Sequence, residues 1–325
     1  MSGERFSNHI EAKSDHATIS VVVPVYNSAE MLPELVARLE AVLPQISSQH
    51  ELILVNDGSR DESWAVIQRL AAEKSWIRGL CMMRNYGQHN ALLAGIRAAK
   101  YDVTITMDDD LQHPPEELPR LIAALNDDVD VVYAPPIIER HGLFRSFASV
   151  TTRLTLQGTM GANTARQCNS WRIFRTGLRA AFADYRSPMA SVDVLLTWGT
   201  RRFAALPLRH DPRAKGRSNY TLGHLIRHGF NMMTGFSVLP LQVASLIGFV
   251  FMLFGFGTLA YVSIRYVLEG TPVQGSPFLA SVIAIFSGAQ LFALGIIGEY
   301  LARMHYRIMD KPTYVVAGDT AKFGS

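Results

Sequence analysis

Three consecutive aspartates, Asp108 to Asp110, directly follow the apolar run at 102–107. Carboxylates this close together repel one another unless a cation or hydrogen-bond donors neutralise them. Mg²⁺ and Mn²⁺ prefer carboxylate and phosphate oxygens, so a divalent cation that bridges a diphosphate would balance the charge. The alternative is that one of these aspartates caps a helix beginning near Pro114, which explains one acid but not three. The run therefore predicts a metal and diphosphate site.

Polar residues also end three other β-branched runs. The groups are Val25-Tyr26-Asn27, Asp57-Gly58-Ser59 and Arg84-Asn85-Tyr86-Gly87. Asp57 could accept hydrogen bonds from a base or a ribose, but Asp-Gly is also a common turn dipeptide. Pro24, Tyr26 and Asn27 could likewise form only the exit from a strand.

Two common phosphate-binding loops are missing from the sequence. No Gly-x-Gly-x-x-Gly follows the first apolar run, and there is no Gly-Lys-Ser/Thr loop. A dinucleotide dehydrogenase and a P-loop NTPase therefore both lose support. A diphosphate would need another counter-charge, which Arg84 and a metal at the aspartates could supply.

Short β-branched runs alternate with amphipathic stretches from Ile19 to Ala134, a pattern typical of a parallel sheet flanked by helices. The candidate strands are 19–24, 51–56, 77–82, 102–107 and 130–134. Ligands of open α/β sheets bind at the carboxyl ends of the strands. The four polar groups are therefore expected to meet at one edge of a Rossmann-like, mostly parallel sheet.

Two long stretches near the C-terminal end lack charged residues. No Lys, Arg, Asp or Glu occurs from His228 to Ile264, and a second such run lies between Glu269 and Glu299. As a helix, 241–264 would span about 36 Å, enough to cross a hydrocarbon core of about 30 Å. Buried core helices are the alternative, but these rarely stay uncharged on every face. The sequence predicts two transmembrane helices within 241–300.

Basic residues lie before the first predicted span and after the second. Seven lie between 201 and 227, and Arg303, Arg307 and Lys311 follow the second span, whereas the loop between the spans has only Arg265. This asymmetry predicts that both ends are cytoplasmic. Residues 1–18 lack the apolar segment of a secretory signal. We expect an integral protein of the inner membrane with its first 240 residues in the cytoplasm and its two cysteines as thiols.

The segment between the sheet and the spans is basic. Residues 138–180 carry seven arginines and one acid, which suits either a solvated face or anionic lipid headgroups. The net charge of +3 is mild, and we expect no nucleic-acid partner. Amphipathic stretches at 143–157, 189–198 and 221–233 could be interfacial or ordinary packing helices.

Five domains are predicted. They are an N-terminal tail (1–18), an α/β domain (19–220), a juxtamembrane helix (221–240), two transmembrane helices (241–300) and a cytoplasmic C-terminal tail (301–325).

Four motifs together resemble those of family 2 glycosyltransferases, which have the GT-A fold. They are VVVPVYN (21–27), LVNDGSRD (54–61), RNYGQHNALLAGI (84–96) and MDDDLQHPPEELPRL (107–121). Within this family the chain is most similar to the polyprenyl-phosphate glycosyltransferases, the group that includes dolichol-phosphate mannose synthase and the undecaprenyl-phosphate formamido-arabinose transferases. The order and spacing of the motifs make the resemblance specific, and it extends from about Ile19 to Pro312.

The resemblance implies an activity and a set of site residues. It implies inverting transfer of a sugar from a nucleotide-sugar, with a UDP-sugar favoured, to a polyprenyl phosphate such as undecaprenyl phosphate. It places Asp108, Asp110 and Gln112 at Mg²⁺ or Mn²⁺. The residues implied around the nucleotide-sugar are Pro24, Tyr26, Asn27, Asp57, Arg84, Asp108, Asp109 and Arg213.

The sequence also departs from the family pattern. Ser28 and Asn219 stand where relatives carry Glu and Lys, and the acid expected before Arg172 is missing, with Arg166 at the aligned position. A phosphate monoester has a second pKa near 6, so the acceptor is already an anion at pH 7 and needs no general base. Asp193 is the alternative base. Arg140, Arg166 and Arg172 are candidates for binding the acceptor phosphate.

Two rival functions stay open at this stage. A processive polysaccharide synthase of the same superfamily would carry Gln-x-x-Arg-Trp and more membrane spans, and neither occurs in this sequence. A catalytically inactive, membrane-anchored nucleotide-sugar-binding scaffold is favoured by the departures and opposed by the intact aspartate run. The sugar is not specified by the sequence, and a homo-oligomer is left open.

Overall fold

The computed structural model describes residues 18–137, 167–187, 190–212, 239–269, 276–309 and 311–322. They belong to two compact units. The sheet unit comprises Met1–Ile226 and Asp310–Ser325, and the helical unit comprises Arg227–Met309.

The described part of the sheet unit contains one mixed sheet of eight strands. The strands are β1 (Ile19–Val25), β2 (His50–Asn56), β3 (Ile77–Met82), β4 (Val103–Thr106), β5 (Val131–Tyr133), β6 (Arg172–Arg175), β7 (Phe203–Ala205) and β8 (Val316–Asp319). Their order across the sheet is β7-β5-β6-β4-β1-β2-β3-β8. The five strands predicted from the sequence are β1 to β5, so the predicted GT-A-like α/β fold is confirmed.

Within the described residues of the sheet unit, five α-helices accompany the strands. They are α1 (Leu32–Ile46), α2 (Ser63–Glu73), α3 (Gln88–Ala98), α4 (Leu118–Ala123) and α5 (Val192–Gly199). Every residue of β1 is buried, as expected for a parallel strand covered on both faces. Helix α3 lies very close to this strand, because a Cβ on Gly95 would lie 2.3 Å from the Val22 side chain.

Strand direction brings two different chain segments to one edge of the sheet. Strands β1 to β4 run parallel to one another, so their carboxyl ends meet at this edge. Strand β6 is antiparallel to β4, with Arg172 opposite Thr106. The start of β6 therefore lies beside the end of β4, and the residues just before β6 meet the aspartates just after β4.

The chain after the helical unit completes the other border of the sheet. Strand β8 pairs antiparallel with β3, and Met83 donates a backbone hydrogen bond of 2.9 Å to Val315. Arg78 donates to both carboxylate oxygens of Asp319 at 3.0 and 2.7 Å. The predicted tail at 301–325 thus contains a strand of the sheet, which differs from the expectation of a separate cytoplasmic tail. The other domain boundaries stay predictions.

The helical unit contains α6 (Leu239–Glu269) and α7 (Ser276–Ile308). Both are long and apolar enough to cross a membrane, over Leu241–Leu268 and Ile285–Ala302. Only 6% of the first of these windows is buried, and none of the second, so neither is a buried core helix. These helices agree with the two predicted spans. The amphipathic stretches at 143–157 and 221–233 lie outside the described residues, and 189–198 overlaps α5.

We predict that Asp319→Ala lowers the free energy of unfolding of the sheet unit by about 2 kcal/mol, because it breaks a charged, two-point contact with Arg78 on β3. Thermal or denaturant unfolding of the full chain measures the change. Glu40→Ala is the matched control. It removes a carboxylate that is half exposed and lies 2.5 Å from Lys74 Nζ. The control should change stability by less than about 1 kcal/mol. Equal losses for the two variants would contradict a role for β8 in closing the sheet.

Candidate active site

Asp108 is held at the end of β4 by donors from two other segments. Gln88 Nε2, at the start of α3, lies 2.7 Å from Oδ1, and Ser170 Oγ, just before β6, lies 2.5 Å from Oδ2. The Asp108 amide donates to His113 Nδ1 at 3.0 Å. Each carboxylate oxygen thus accepts one hydrogen bond, and the carboxylate orientation is defined by residues far away in the sequence.

Asp109 is directed toward the loop that follows β1. Its Oδ2 accepts the Tyr26 backbone N–H at 3.2 Å. Removal from water raises the pKa of Asp109 to about 6, against the opposing effect of hydrogen bonds from Ser28 and Tyr26. Asp109 therefore contacts the predicted nucleotide loop through its carboxylate. Tyr26 itself is 41% exposed, whereas Pro24 is buried within β1.

Asp110 begins a tight turn. Its Oδ1 accepts the Gln112 N–H at 3.1 Å, and Leu111 between them has φ of 62°. A leucine in this left-handed region is strained, and such strain persists only where the surroundings impose it. Leu111 is 3% exposed, so burial of its side chain stabilises the turn.

The three carboxylates therefore accept hydrogen bonds from different donors. Within the part of the chain that the structure describes, no group of three or more His, Cys, Asp or Glu side chains could hold a metal ion. A Mg²⁺ ion that retains several waters needs only one or two carboxylates when a diphosphate supplies further oxygens. Asp110 and Asp108 fit that smaller donor set, with Gln112 on the same turn.

Asp57 organises the loop between β3 and α3. Its two oxygens accept the N–H groups of Tyr86 and Gly87 at 2.7 and 2.8 Å. The carboxyl is 3% exposed, and burial raises its pKa although these two hydrogen bonds oppose the shift. Next to it, Gly58 has φ of 64°, and a Cβ there would lie 2.5 Å from the Arg84 backbone. The contacts shown by Asp57 are to this loop, and a contact to a base or ribose stays a prediction.

The loop carries an exposed cation, and a second loop lies beside it. The guanidinium carbon of Arg84 lies 4.4 Å from the centre of the Tyr86 ring. Asn27 has φ of 55°. Its backbone N–H donates to Ser59 Oγ at 3.0 Å, and its side-chain Oδ1 accepts the Arg60 N–H at 2.8 Å. The ends of β1, β2, β3 and β4 are thus joined by hydrogen bonds at one edge, as the sequence predicted.

Comparison with known proteins identifies the family. The model of glycosyl transferase family 2 matches residues 20–182. The chain belongs to this family. It is 34% identical over 306 residues to an undecaprenyl-phosphate 4-deoxy-4-formamido-L-arabinose transferase from Aeromonas hydrophila. The alignment covers 93% of this chain and 94% of the relative. The protein of the same description from Sodalis glossinidius is 34% identical over 92% of each chain.

Solved structures support the fold. Glucosyl-3-phosphoglycerate synthase from Mycobacterium tuberculosis, in complex with Mn²⁺, UDP-glucose and phosphoglyceric acid, matches with a TM-score of 0.51 and 16% identity. The match covers 67% of this chain and 78% of that one. At this level of identity the likeness concerns the fold, which is the GT-A fold implied by the four motifs.

Arg172 and Asp193 form a buried ion pair behind this edge. Arg172 Nη1 lies 2.5 Å from Asp193 Oδ1, which also accepts the Tyr133 hydroxyl at 3.0 Å. Arg172 is 1% exposed and Asp193 9% exposed. The acceptor-phosphate role predicted for Arg172 and the base role considered for Asp193 lose support, because each side chain is buried and neutralised by the other.

Some predicted residues are not described by the structure. Arg140, Arg166 and Arg213 lie outside the described residues. The Asp211 N–H donates to the Gln112 carbonyl at 3.0 Å, so the segment leading to Arg213 lies beside the aspartate turn. His210 packs edge-on against His113 and Trp171, with ring centres 5.0 and 5.4 Å away.

Gln88 and Ser170 were not predicted from the sequence as site residues. Gln88 lies inside a recognised motif, and its place at the start of a helix after the β3 loop could have suggested a role at the edge. Ser170 had no such signal, because its contact to Asp108 depends on the pairing of β6 with β4.

We predict that Asp193→Asn lowers the free energy of unfolding by about 3–5 kcal/mol, because it leaves the buried Arg172 guanidinium without its counter-charge. Thermal unfolding measures the loss. Lys74→Ala, which breaks an exposed pair with Glu40, should change stability by less than about 1 kcal/mol. A stable Asp193→Asn protein that has lost turnover would instead support Asp193 as a catalytic base.

Proposed function

We propose that the protein transfers a sugar from a nucleotide-sugar to a polyprenyl phosphate, with undecaprenyl phosphate as the acceptor. The extent of the similarity carries this proposal. Relatives named as undecaprenyl-phosphate transferases align over 92–93% of this chain, which takes in the apolar helices as well as the sheet. An acceptor with a long isoprenoid tail would also account for a catalytic unit joined to two helices of membrane-spanning length.

The donor would bind at the edge where β1 to β4 end. Tyr26 and Arg84 offer an exposed ring and an exposed cation there, and Asp110 and Asp108 offer carboxylates for a divalent ion. When bound, that ion would neutralise charge on the departing nucleoside diphosphate. The mycobacterial synthase holds UDP-glucose with Mn²⁺ on the same fold, so a UDP-sugar is the donor to test first.

The acceptor phosphate would act as its own nucleophile and give inversion at the anomeric carbon. Its second pKa near 6 makes it mostly a dianion at pH 7. Asp193, the alternative base, is paired with the buried Arg172, which agrees with an attack that needs no protein base. The role of Asp57, Asn27 and Asp109 would be to keep the donor loops in place.

The orientation proposed for the membrane is with the sheet unit in the cytoplasm. Strands before and after α6 and α7 belong to the same sheet, so these helices can cross a membrane only an even number of times. Two crossings put both flanks on one side, and the basic residues outside the spans favour the cytoplasmic side of the inner membrane.

Transfer assays with the full chain in nanodiscs test the proposal. We expect sugar transfer from one of a panel of UDP-sugars to undecaprenyl phosphate, dependent on Mn²⁺ or Mg²⁺ and abolished by EDTA. Asp110→Asn should reduce turnover roughly 10²-fold or more, because it removes charge that holds the ion. Asp102→Asn, at the opposite end of β4, should behave as wild type. Donor binding without transfer to any lipid phosphate would point to a binding scaffold instead.

We also predict the pH dependence of transfer. Turnover should rise about tenfold per pH unit below pH 6, as the acceptor phosphate loses its second proton, and stay flat above it. Burial raises the pKa of Asp109 to about 6, close to that of the phosphate, so the profile is repeated with Asp109→Asn. An unchanged midpoint in this variant assigns the titration to the phosphate. A midpoint that disappears with Asp109, or a second rise above pH 7, would contradict the unaided attack.

A further inference from the structure

A chain of hydrogen bonds leads from the buried ion pair to Asp108. Arg172 Nε donates to Thr106 Oγ1 at 3.1 Å, Thr106 Oγ1 donates to the Ser170 carbonyl at 2.7 Å, and Ser170 Oγ donates to Asp108 Oδ2 at 2.5 Å. The last distance is typical of a charge-assisted O–H···O⁻ bond.

The donor and acceptor groups fix the direction of each bond. A guanidinium is donor only, so the Thr106 oxygen must accept from it. The single hydroxyl proton of Thr106 is then available for the Ser170 carbonyl. This contact fixes the backbone of Ser170, whose own hydroxyl proton is directed at the carboxylate.

Arg172 is a suitable anchor for this series of hydrogen bonds. It is 1% exposed, pairs with Asp193, and lies 5.7 Å from the centre of the Tyr133 ring. Its backbone is opposite Thr106 in the β4–β6 ladder. Movement of the guanidinium would therefore disturb a buried ion pair and two strands at once.

We propose that Ser170 is a positioning residue of the donor site, which holds the Asp108 carboxylate in the orientation that nucleoside diphosphate binding requires, with the Arg172–Asp193 pair as its anchor. This inference rests on the proposed function, because it takes the ligand of this edge to be the nucleoside diphosphate of the donor. Gln88 restrains the other oxygen from the side of α3. Removal of Ser170 Oγ would leave Asp108 restrained on one side only.

The test separates positioning from a contribution to folding. Binding of UDP, GDP and CDP with Mn²⁺ is measured by isothermal titration calorimetry on the full chain in detergent, together with the melting temperature. Ser170→Ala should raise Kd for the nucleotide that wild type binds about tenfold, as expected for the loss of a hydrogen bond to a charged group. Ser170→Thr keeps the hydroxyl and should restore Kd to within about threefold of wild type.

Thr176→Val is the matched control. Thr176 Oγ1 lies 2.7 Å from Thr104 Oγ1 at the other end of the same strand pair, so this variant removes a buried hydroxyl contact without reaching the aspartates. It should lower the melting temperature and leave Kd unchanged. Thr106→Val removes the hydroxyl one step behind Ser170 and should raise Kd about threefold. If Ser170→Ala does not fold, the Kd of Thr106→Val tests whether Ser170 positions Asp108.

The outcomes are distinguishable. Failure of wild type to bind any of the three nucleotides would overturn the proposed function. If wild type binds a nucleotide and Ser170→Ala has the same Kd, the positioning role is wrong and the proposed function stands. If Ser170→Ala does not fold, an unchanged Kd in Thr106→Val has the same meaning. A raised Kd in Ser170→Ala that Ser170→Thr does not reverse would also overturn the positioning role, because the effect would not come from the hydroxyl.

Discussion

Electrostatic repulsion among Asp108, Asp109 and Asp110 is the constraint on which the candidate active site depends. The structure meets it by turning each carboxylate toward different donors. Asp108 accepts from Gln88 and Ser170, and the other two accept from backbone amides after β1 and within their own turn. Each donor belongs to a different segment of the chain. The need to disperse negative charge therefore also determines which loops are held at the edge of the sheet.

The ion pair behind this edge illustrates the difference between stability and specificity. Desolvating Arg172 and Asp193 is unfavourable, and a buried pair often stabilises a protein no more than apolar residues of similar volume would. Apolar side chains, however, could not donate to Thr106. The directional contacts of a guanidinium specify one arrangement of the β4–β6 junction, and this arrangement puts a hydroxyl beside Asp108.

Local patterns were sufficient to predict β1 to β5 and the edge at which they end, because each of these strands lies within its own short, mostly apolar run. Strands β6, β7 and β8 have three or four residues each and form through contacts distant in sequence. For the same reason, charge and position alone predicted Arg172 as a phosphate ligand, although it lies in the core. The aspartate run was recognised as a site, but its partners depend on strand pairing. The roles of Arg140, Arg166 and Arg213 stay predictions.

The position of β8 has a consequence for biogenesis. Arg78 and Asp319 are separated by 241 residues, and α6 and α7 lie between them. During translation, β3 therefore remains an open edge until β8 has been synthesised, which happens after both α6 and α7. An unpaired edge strand is a site for aggregation. A nascent chain whose helices fail to insert correctly would keep that edge exposed, which would make faulty insertion visible to chaperones and proteases on the side of the sheet unit.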